Sequence, residues 1–234
     1  MTLECNGVTC EYTVSRTDSK DIVVFLHGWG GDLRSVKGAF DMVSSWGISC
    51  VNIAFPKIVP QDWGIYDYAA FVGSLLKKLD IVNPILVGHS FGGRVAIILA
   101  AQGIVKKLVL VDSAGLKPKF SLVKKLKIAA YKRRVKRGKP LDGSGSIDYN
   151  SLAPCMRPVF VRIVNTHLDA LLPYIRCDTL IFWGKRDRDT PLYMAKRLHR
   201  GIQGSTLVTV AGGHYAYIDA NYKFLNLLKS FLTE

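Results

Sequence analysis

Short apolar runs alternate along this chain with longer stretches in which apolar residues recur every three or four positions. The runs at 8–14, 22–26, 48–54, 84–88, 107–112, 179–183 and 205–210 have strand length and composition. Between them the pattern predicts helices over about 33–46, over about 65–79, and from just after Ser90 through Ala101. A last helix is expected at about 218–232, with Ile218, Phe224, Leu225, Leu228 and Leu232 at helical spacing. Such alternation predicts an α/β fold in which a mainly parallel sheet carries helices on both faces. One stretch, from about 115 to 175, interrupts the alternation, and no internal repeat is visible.

The residues that follow the expected strands carry the chemistry. After the run at 84–88 comes Gly88-His89-Ser90-Phe91-Gly92-Gly93, a G-x-S-x-G in a strand–turn–helix setting. A serine that must project above a sheet from so tight a turn leaves no room for side chains two residues before and after it, and glycine stands at both places. Helix capping would account for a serine here, but not for both glycines. Asp187 follows the run at 179–183, and His214 follows the run at 205–210 within Gly212-Gly213-His214. The order Ser90, Asp187, His214 differs from that of chymotrypsin-type and subtilisin-type enzymes. His27-Gly28-Trp29-Gly30-Gly31 follows the run at 22–26, where glycines free backbone N–H groups to turn toward a bound oxyanion.

Together these motifs resemble the α/β-hydrolase superfamily, of the capped serine-hydrolase kind, and the resemblance extends from residue 27 to residue 214. It implies an α/β-hydrolase fold with Ser90 as nucleophile, His214 as general base and then acid, and Asp187 as the orienting carboxylate. The backbone N–H groups of Trp29 and Phe91 would form the oxyanion hole. Asp112 and Asp189 are the other carboxylates placed to serve as the acid, in that order. His27 is read as holding the oxyanion loop by hydrogen bonds. His89, His167 and His199 lack paired ligand spacing, which argues against a metal site, and the implied chemistry needs no cofactor.

At 234 residues and 49% hydrophobic, the chain is expected to form one domain over 1–234, with the stretch 115–175 inserted as a cap. No apolar run is long enough to cross a membrane, and the first residues lack the basic and apolar segments of a secretory signal. Five cysteines without a C-x-x-C pair favour a reduced, cytoplasmic protein. The net charge of +14 is local: residues 116–140 hold eleven Lys or Arg and no acid, leaving 21 basic against 18 acidic residues elsewhere. The plainest reading is a solvated cap helix, with Leu122, Val123, Leu126, Ala129 and Ala130 on a packing face and Asp142–Ser146 as a loop. Steering of an acidic substrate is the second reading, and docking on an anionic membrane surface the third. Nucleic acid is argued against, since no binding motif accompanies the charge, and no P-loop is present.

The expected activity is hydrolysis of a small-molecule carboxylic ester through an acyl-enzyme, with amide, thioester, lactone and carbon–carbon cleavage open on the same residues. Serine at 90 argues against haloalkane dehalogenase and epoxide hydrolase, whose elbows carry aspartate. A ligand-binding sensor on the same fold and a membrane-surface lipid hydrolase are the alternatives. Trp29, Phe91, Met156 and Phe160 are expected to line the substrate pocket, with Pro154, Val159, Ile163 and Val164 nearby. The oligomeric state stays open.

Overall fold

Successive side chains of a strand point to opposite faces, so a strand apolar at every position must be covered on both. In β3 (Ile22–Leu26), Val24 and Leu26 enter one hydrophobic cluster and Val23 and Phe25 the other, and all four are buried. The computed structural model, which describes residues 1–5, 7–119, 130, 133–134, 137 and 147–233, places this strand near the middle of a single sheet. Before it come β1 (Thr2–Cys5) and β2 (Val8–Ser15); after it come β4 (Ser49–Ile53), β5 (Ile85–His89), β6 (Lys107–Val111), β7 (Asp178–Gly184) and β8 (Thr206–Val210). Among the described residues the order across the sheet is β1-β2-β4-β3-β5-β6-β7-β8. The pairs from β4 through β8 are parallel, whereas β1–β2 and β2–β4 are antiparallel.

On one face lie α1 (Lys37–Ser45) and α8 (Asn221–Thr233), whose Val43, Phe224 and Leu228 pack beneath Phe25 and Phe182. The other face carries α2 (Ile65–Lys78), α3 (Phe91–Ala101) and α6 (Tyr193–Gly201). Residues Phe91 to Ala100 of α3 are all buried, because sheet, α2 and the β6–β7 connection enclose that helix. The β6–β7 connection contains α4 (Ile147–Ser151) and α5 (Arg157–Asn165), with 3-10 turns at Pro154–Met156 and Asp169–Tyr174.

The chain leaves β3 for β4 on one side and returns through α2 to β5 on the other. At this reversal of strand order the loops after β3 and β5 sit side by side, the place where open α/β sheets bind ligands.

Three expectations need correction. The first helix begins at Lys37 rather than near 33, because Asp32 accepts the Arg34 backbone N–H at 2.9 Å and closes a turn ahead of it. The last helix is two elements, α7 (Ala216–Asp219) and α8, broken at Ala220. Ile218 is consequently 57% exposed, and Leu225 is only half-buried, while Phe224, Leu228 and Leu232 are buried. β1 adds an edge strand that the hydrophobic pattern alone does not suggest. Of the basic segment, residues 120–129, and with them the packing face Leu122, Val123, Leu126 and Ala129, lie outside the described residues, as does the loop at 142–146. Ala130, assigned to that face, is exposed, as are Arg133, Arg134 and Arg137.

Candidate active site

The turn after β5 is built by contacts that exclude side chains. A Cβ on Gly88 would lie 2.7 Å from the Gly92 carbonyl oxygen, and one on Gly92 would lie 2.1 Å from that of Leu26. Ser90 itself adopts φ 49° and ψ −109°, a conformation disfavoured for any L side chain and held at a cost of about 1–3 kcal/mol. Three backbone bonds hold it there: Ser90 N–H to Val111 O at 3.1 Å, Ala114 N–H to Ser90 O at 3.0 Å, and Gly93 N–H to Ser90 O at 3.1 Å.

The three residues expected to act together form one hydrogen-bonded chain. His214 Nε2 lies 2.9 Å from Ser90 Oγ, and His214 Nδ1 lies 2.9 Å from Asp187 Oδ2. A carboxylate only accepts, so Nδ1 carries the ring proton and Nε2 is left to accept from the serine hydroxyl. Asp187 is buried and well supported: its Oδ1 accepts the Asp189 and Thr190 N–H groups at 2.8 and 2.9 Å, and its Oδ2 the Thr190 hydroxyl at 2.6 Å. Burial works against its charge, but the bonds from His214 and Thr190 outweigh it and hold the carboxyl below its ordinary range. Burial likewise disfavours the imidazolium of His214, yet the bond and charge of Asp187, aided by Asp189 and Asp112, raise its pKa above the ordinary 6.5.

His27 does what the sequence suggests. Its Nε2 accepts the Phe55 N–H at 3.0 Å, so Nδ1 carries the proton and donates to Gly28 O at 2.7 Å. Burial pushes its pKa down, in keeping with a neutral ring. Gly92 N–H donates to His27 O at 3.0 Å and ties this loop to the serine turn. Among the described residues the Trp29 and Phe91 backbone N–H groups have no protein acceptor. His89 lies under the site: its Nε2 donates to His214 O at 2.8 Å, and burial pushes its pKa down to about 4. His167 and His199 line neither of two adjoining cavities, one of which holds Ser90.

Those cavities meet along Gly28 to Gly31 and Phe91. One, of about 570 Å³, contains Ser90, His214, Thr190, Phe160, Ile163 and Val164. The other, of about 360 Å³, is walled by Phe55, Tyr68, Leu152 and Met156. Trp29 packs against Phe91 and Phe160 with ring centroids 5.0 and 5.3 Å apart. The expected pocket residues Trp29, Phe91, Met156 and Phe160 thus all line one or both spaces. Val159 instead sits wholly in the core and Pro154 is exposed. Pattern reading missed Phe55, Tyr68 and Thr190; the signal for Thr190 was its place three residues after the acid.

The other two carboxylates are not on the histidine. Asp189 is exposed, although its oxygen lies within 4.8 Å of the His214 and Asp187 ligand atoms. Asp112 is fully buried and spends both oxygens on backbone: Oδ1 accepts Gly184 N–H and Oδ2 accepts Ala216 N–H, each at 2.8 Å. Burial raises its pKa to about 7 against those two bonds. Asp112 therefore braces the ends of β7 and α7 from which Asp187 and His214 project. Asp112→Ala orphans two buried N–H groups and is expected to cost about 2 kcal/mol, a fall of roughly 4–8 °C in Tm by calorimetry.

With this geometry in view, the comparisons are consistent. The model of the Alpha/beta hydrolase family matches residues 23–226, and the chain belongs to that family. It is 27% identical to the AB hydrolase superfamily protein YisY of Bacillus subtilis, covering 89% of this chain and 90% of that protein. It is 28% identical to 2-hydroxy-6-oxo-2,4-heptadienoate hydrolase of Pseudomonas putida, over 73% of this chain and 71% of the relative. An esterase of Exiguobacterium antarcticum superposes with a TM-score of 0.78 at 20% identity, over 98% and 97% of the two chains, a likeness of fold. Family membership supports a hydrolytic role. Among the described residues no helix is long and apolar enough to cross a membrane.

Proposed function

We propose that this protein is a serine hydrolase that cleaves a carboxylic ester, or a related acyl bond, through an acyl-enzyme. The observation that carries the reading is the unbroken chain from Ser90 Oγ through His214 to Asp187, with both links at 2.9 Å. Ser90 Oγ attacks the substrate carbonyl while His214 Nε2 takes the hydroxyl proton. The resulting oxyanion accepts from the Trp29 and Phe91 N–H groups, which are free to donate. His214 then returns the proton to the leaving alcohol as the carbon–oxygen bond breaks. A water molecule, deprotonated by the same ring, cleaves the acyl-enzyme and releases the acid and Ser90. Asp187 keeps the ring in the productive tautomer and stabilises the imidazolium. The stretch 115–175 serves as a cap, and Met156 and Phe160 within it supply apolar contacts to the substrate. The names of an esterase and of a heptadienoate hydrolase among the similar proteins agree with a hydrolytic role.

Turnover of short-chain p-nitrophenyl esters tests the reading. Only neutral His214 can accept the serine proton, so kcat/KM is expected to fall as pH drops through the ring's raised pKa. The acid limb of the profile should then lie above 6.5. Asp187→Asn removes the partner that raises that pKa and should move the limb to lower pH. A rate independent of pH across this range would overturn the role given to His214.

A further inference from the structure

One charged side chain in the cavity of Ser90 has no part in the steps above. Arg94 stands four residues after Ser90 on α3, about 6 Å further along the helix axis. It lines the same 570 Å³ cavity as Ser90 and His214, yet is only 8% exposed. Its Nη1 donates to Ile163 O at 3.0 Å and Thr166 O at 2.9 Å, carbonyls at the end of α5. Among the described residues no carboxylate pairs with it, and its Nε and Nη2 have no protein acceptor.

A guanidinium carries five N–H donors, so the fork of Nε–H and Nη2–H remains unused, in the geometry that grips a carboxylate through two parallel bonds. Clamping the end of α5 would need only two uncharged donors, which a glutamine side chain provides without the cost of burying a charge. Burial alone lowers the Arg94 pKa, to about 10, which leaves the group cationic at neutral pH. Among the described residues the site therefore holds a buried positive charge without a paired counter-ion in the cavity of the serine; Asp189, which also lines the cavity, lies close to His214 and Asp187.

We propose that Arg94 binds an ionised carboxyl group of the substrate, so that the compounds cleaved are acyl compounds carrying a second, free carboxylate. The assignment rests on the serine-hydrolase reading for the bond cleaved, but the anion site stands on Arg94 itself. The apolar remainder of such a substrate fits the adjoining space walled by Phe55, Tyr68, Leu152 and Met156.

The test compares mono-p-nitrophenyl adipate with p-nitrophenyl hexanoate, which match in length and differ in the terminal carboxylate. Wild-type protein is expected to favour the adipate ester in kcat/KM, chiefly through KM, by about ten- to a hundredfold, as a charge-assisted bond pair would give. Arg94→Met should abolish that ratio and Arg94→Lys restore part of it; a merely structural loss would lower both rates and leave the ratio intact. Adipate against its neutral diamide, titrated into Ser90→Ala protein by calorimetry, reads the same site without turnover and without altering Arg94. Equal treatment of the two esters with equal binding of diacid and diamide overturns the proposal, as does a preference that survives Arg94→Met. If neither ester is cleaved but adipate binds selectively and the double variant Ser90→Ala, Arg94→Met loses it, the anion site stands and the hydrolase reading falls.

Discussion

Replacing Ser90 with alanine is expected to lower kcat on p-nitrophenyl esters by about ten-thousand- to a million-fold, since a nucleophile working with a base and an orienting acid loses nearly all its catalysis at one stroke. The residue left behind has no oxygen to attack the carbonyl, and His214 Nε2 loses its partner at 2.9 Å. The oxyanion donors and the cavities remain, so substrate should still bind and residual rate above the uncatalysed reaction should persist. Stability should hardly change, because the backbone strain at φ 49° belongs to any L residue there. Parallel measurements of turnover and Tm check this: an active alanine variant removes Ser90 from the mechanism, and an unfolded one calls for Ser90→Cys in its place. Either way the elbow, and not the cap, is what the experiment interrogates.

Gly92→Ala should damage the fold more than any exchange of a catalytic side chain. The added methyl would sit 2.1 Å from the Leu26 carbonyl oxygen and 2.8 Å from that of His27, both backbone atoms of the central strand and its loop. Neither can move without breaking the bond from Gly92 N–H to His27 O. We expect a loss of at least about 3 kcal/mol, or roughly 6–12 °C in Tm, with activity lost alongside. Gly38→Ala provides the contrast: that residue lies within α1 with open space around it, and alanine is expected to leave Tm unchanged or raise it by a few degrees. Thermal melts of the pair decide the matter; similar behaviour of both would mean that the serine turn yields more readily than its contacts indicate.

The difference between those glycines shows why parts of the molecule were readable in advance. A turn so tight that carbonyl oxygens occupy the space of two side chains restricts its sequence, and Gly88-x-Ser90-x-Gly92 carries that restriction openly. The central strands were equally plain, because burial on both faces demands the apolar runs Ile22–Leu26, Ile85–Val87 and Leu108–Val111 of β3, β5 and β6. His214 and Asp187 were legible from their places just past such strands. Arg94 was not. In sequence it is only the polar residue that heads the apolar run Val95–Ala101, and the carbonyls that hold it lie 69 and 72 residues later in the chain. Asp112 stayed second to Asp187 as a candidate for a related reason: a strand-end carboxylate fits the role of acid, and only the three-dimensional approach of Gly184 and Ala216 shows its oxygens already taken. The end of the chain was read as one helix because a four-residue element and its successor share an apolar period, while Ala220 breaks the backbone between them.

The chain order also divides the catalytic machinery between two parts of the molecule. Ser90, its strained turn, the Gly28–Gly31 loop and Arg94 all belong to the part of the chain that ends with β6, whereas His214 reaches Ser90 across 124 residues. Contacts so distant in sequence require a long intervening segment to be closed, at an entropic cost that must be met before they repay it. A chain folded only through β6 would present the attacking oxygen and the donors for an oxyanion but nothing to take the proton. Asp187 and His214 follow β7 and β8, so the two strands that complete this edge of the sheet also complete the hydrogen-bonded chain to Ser90.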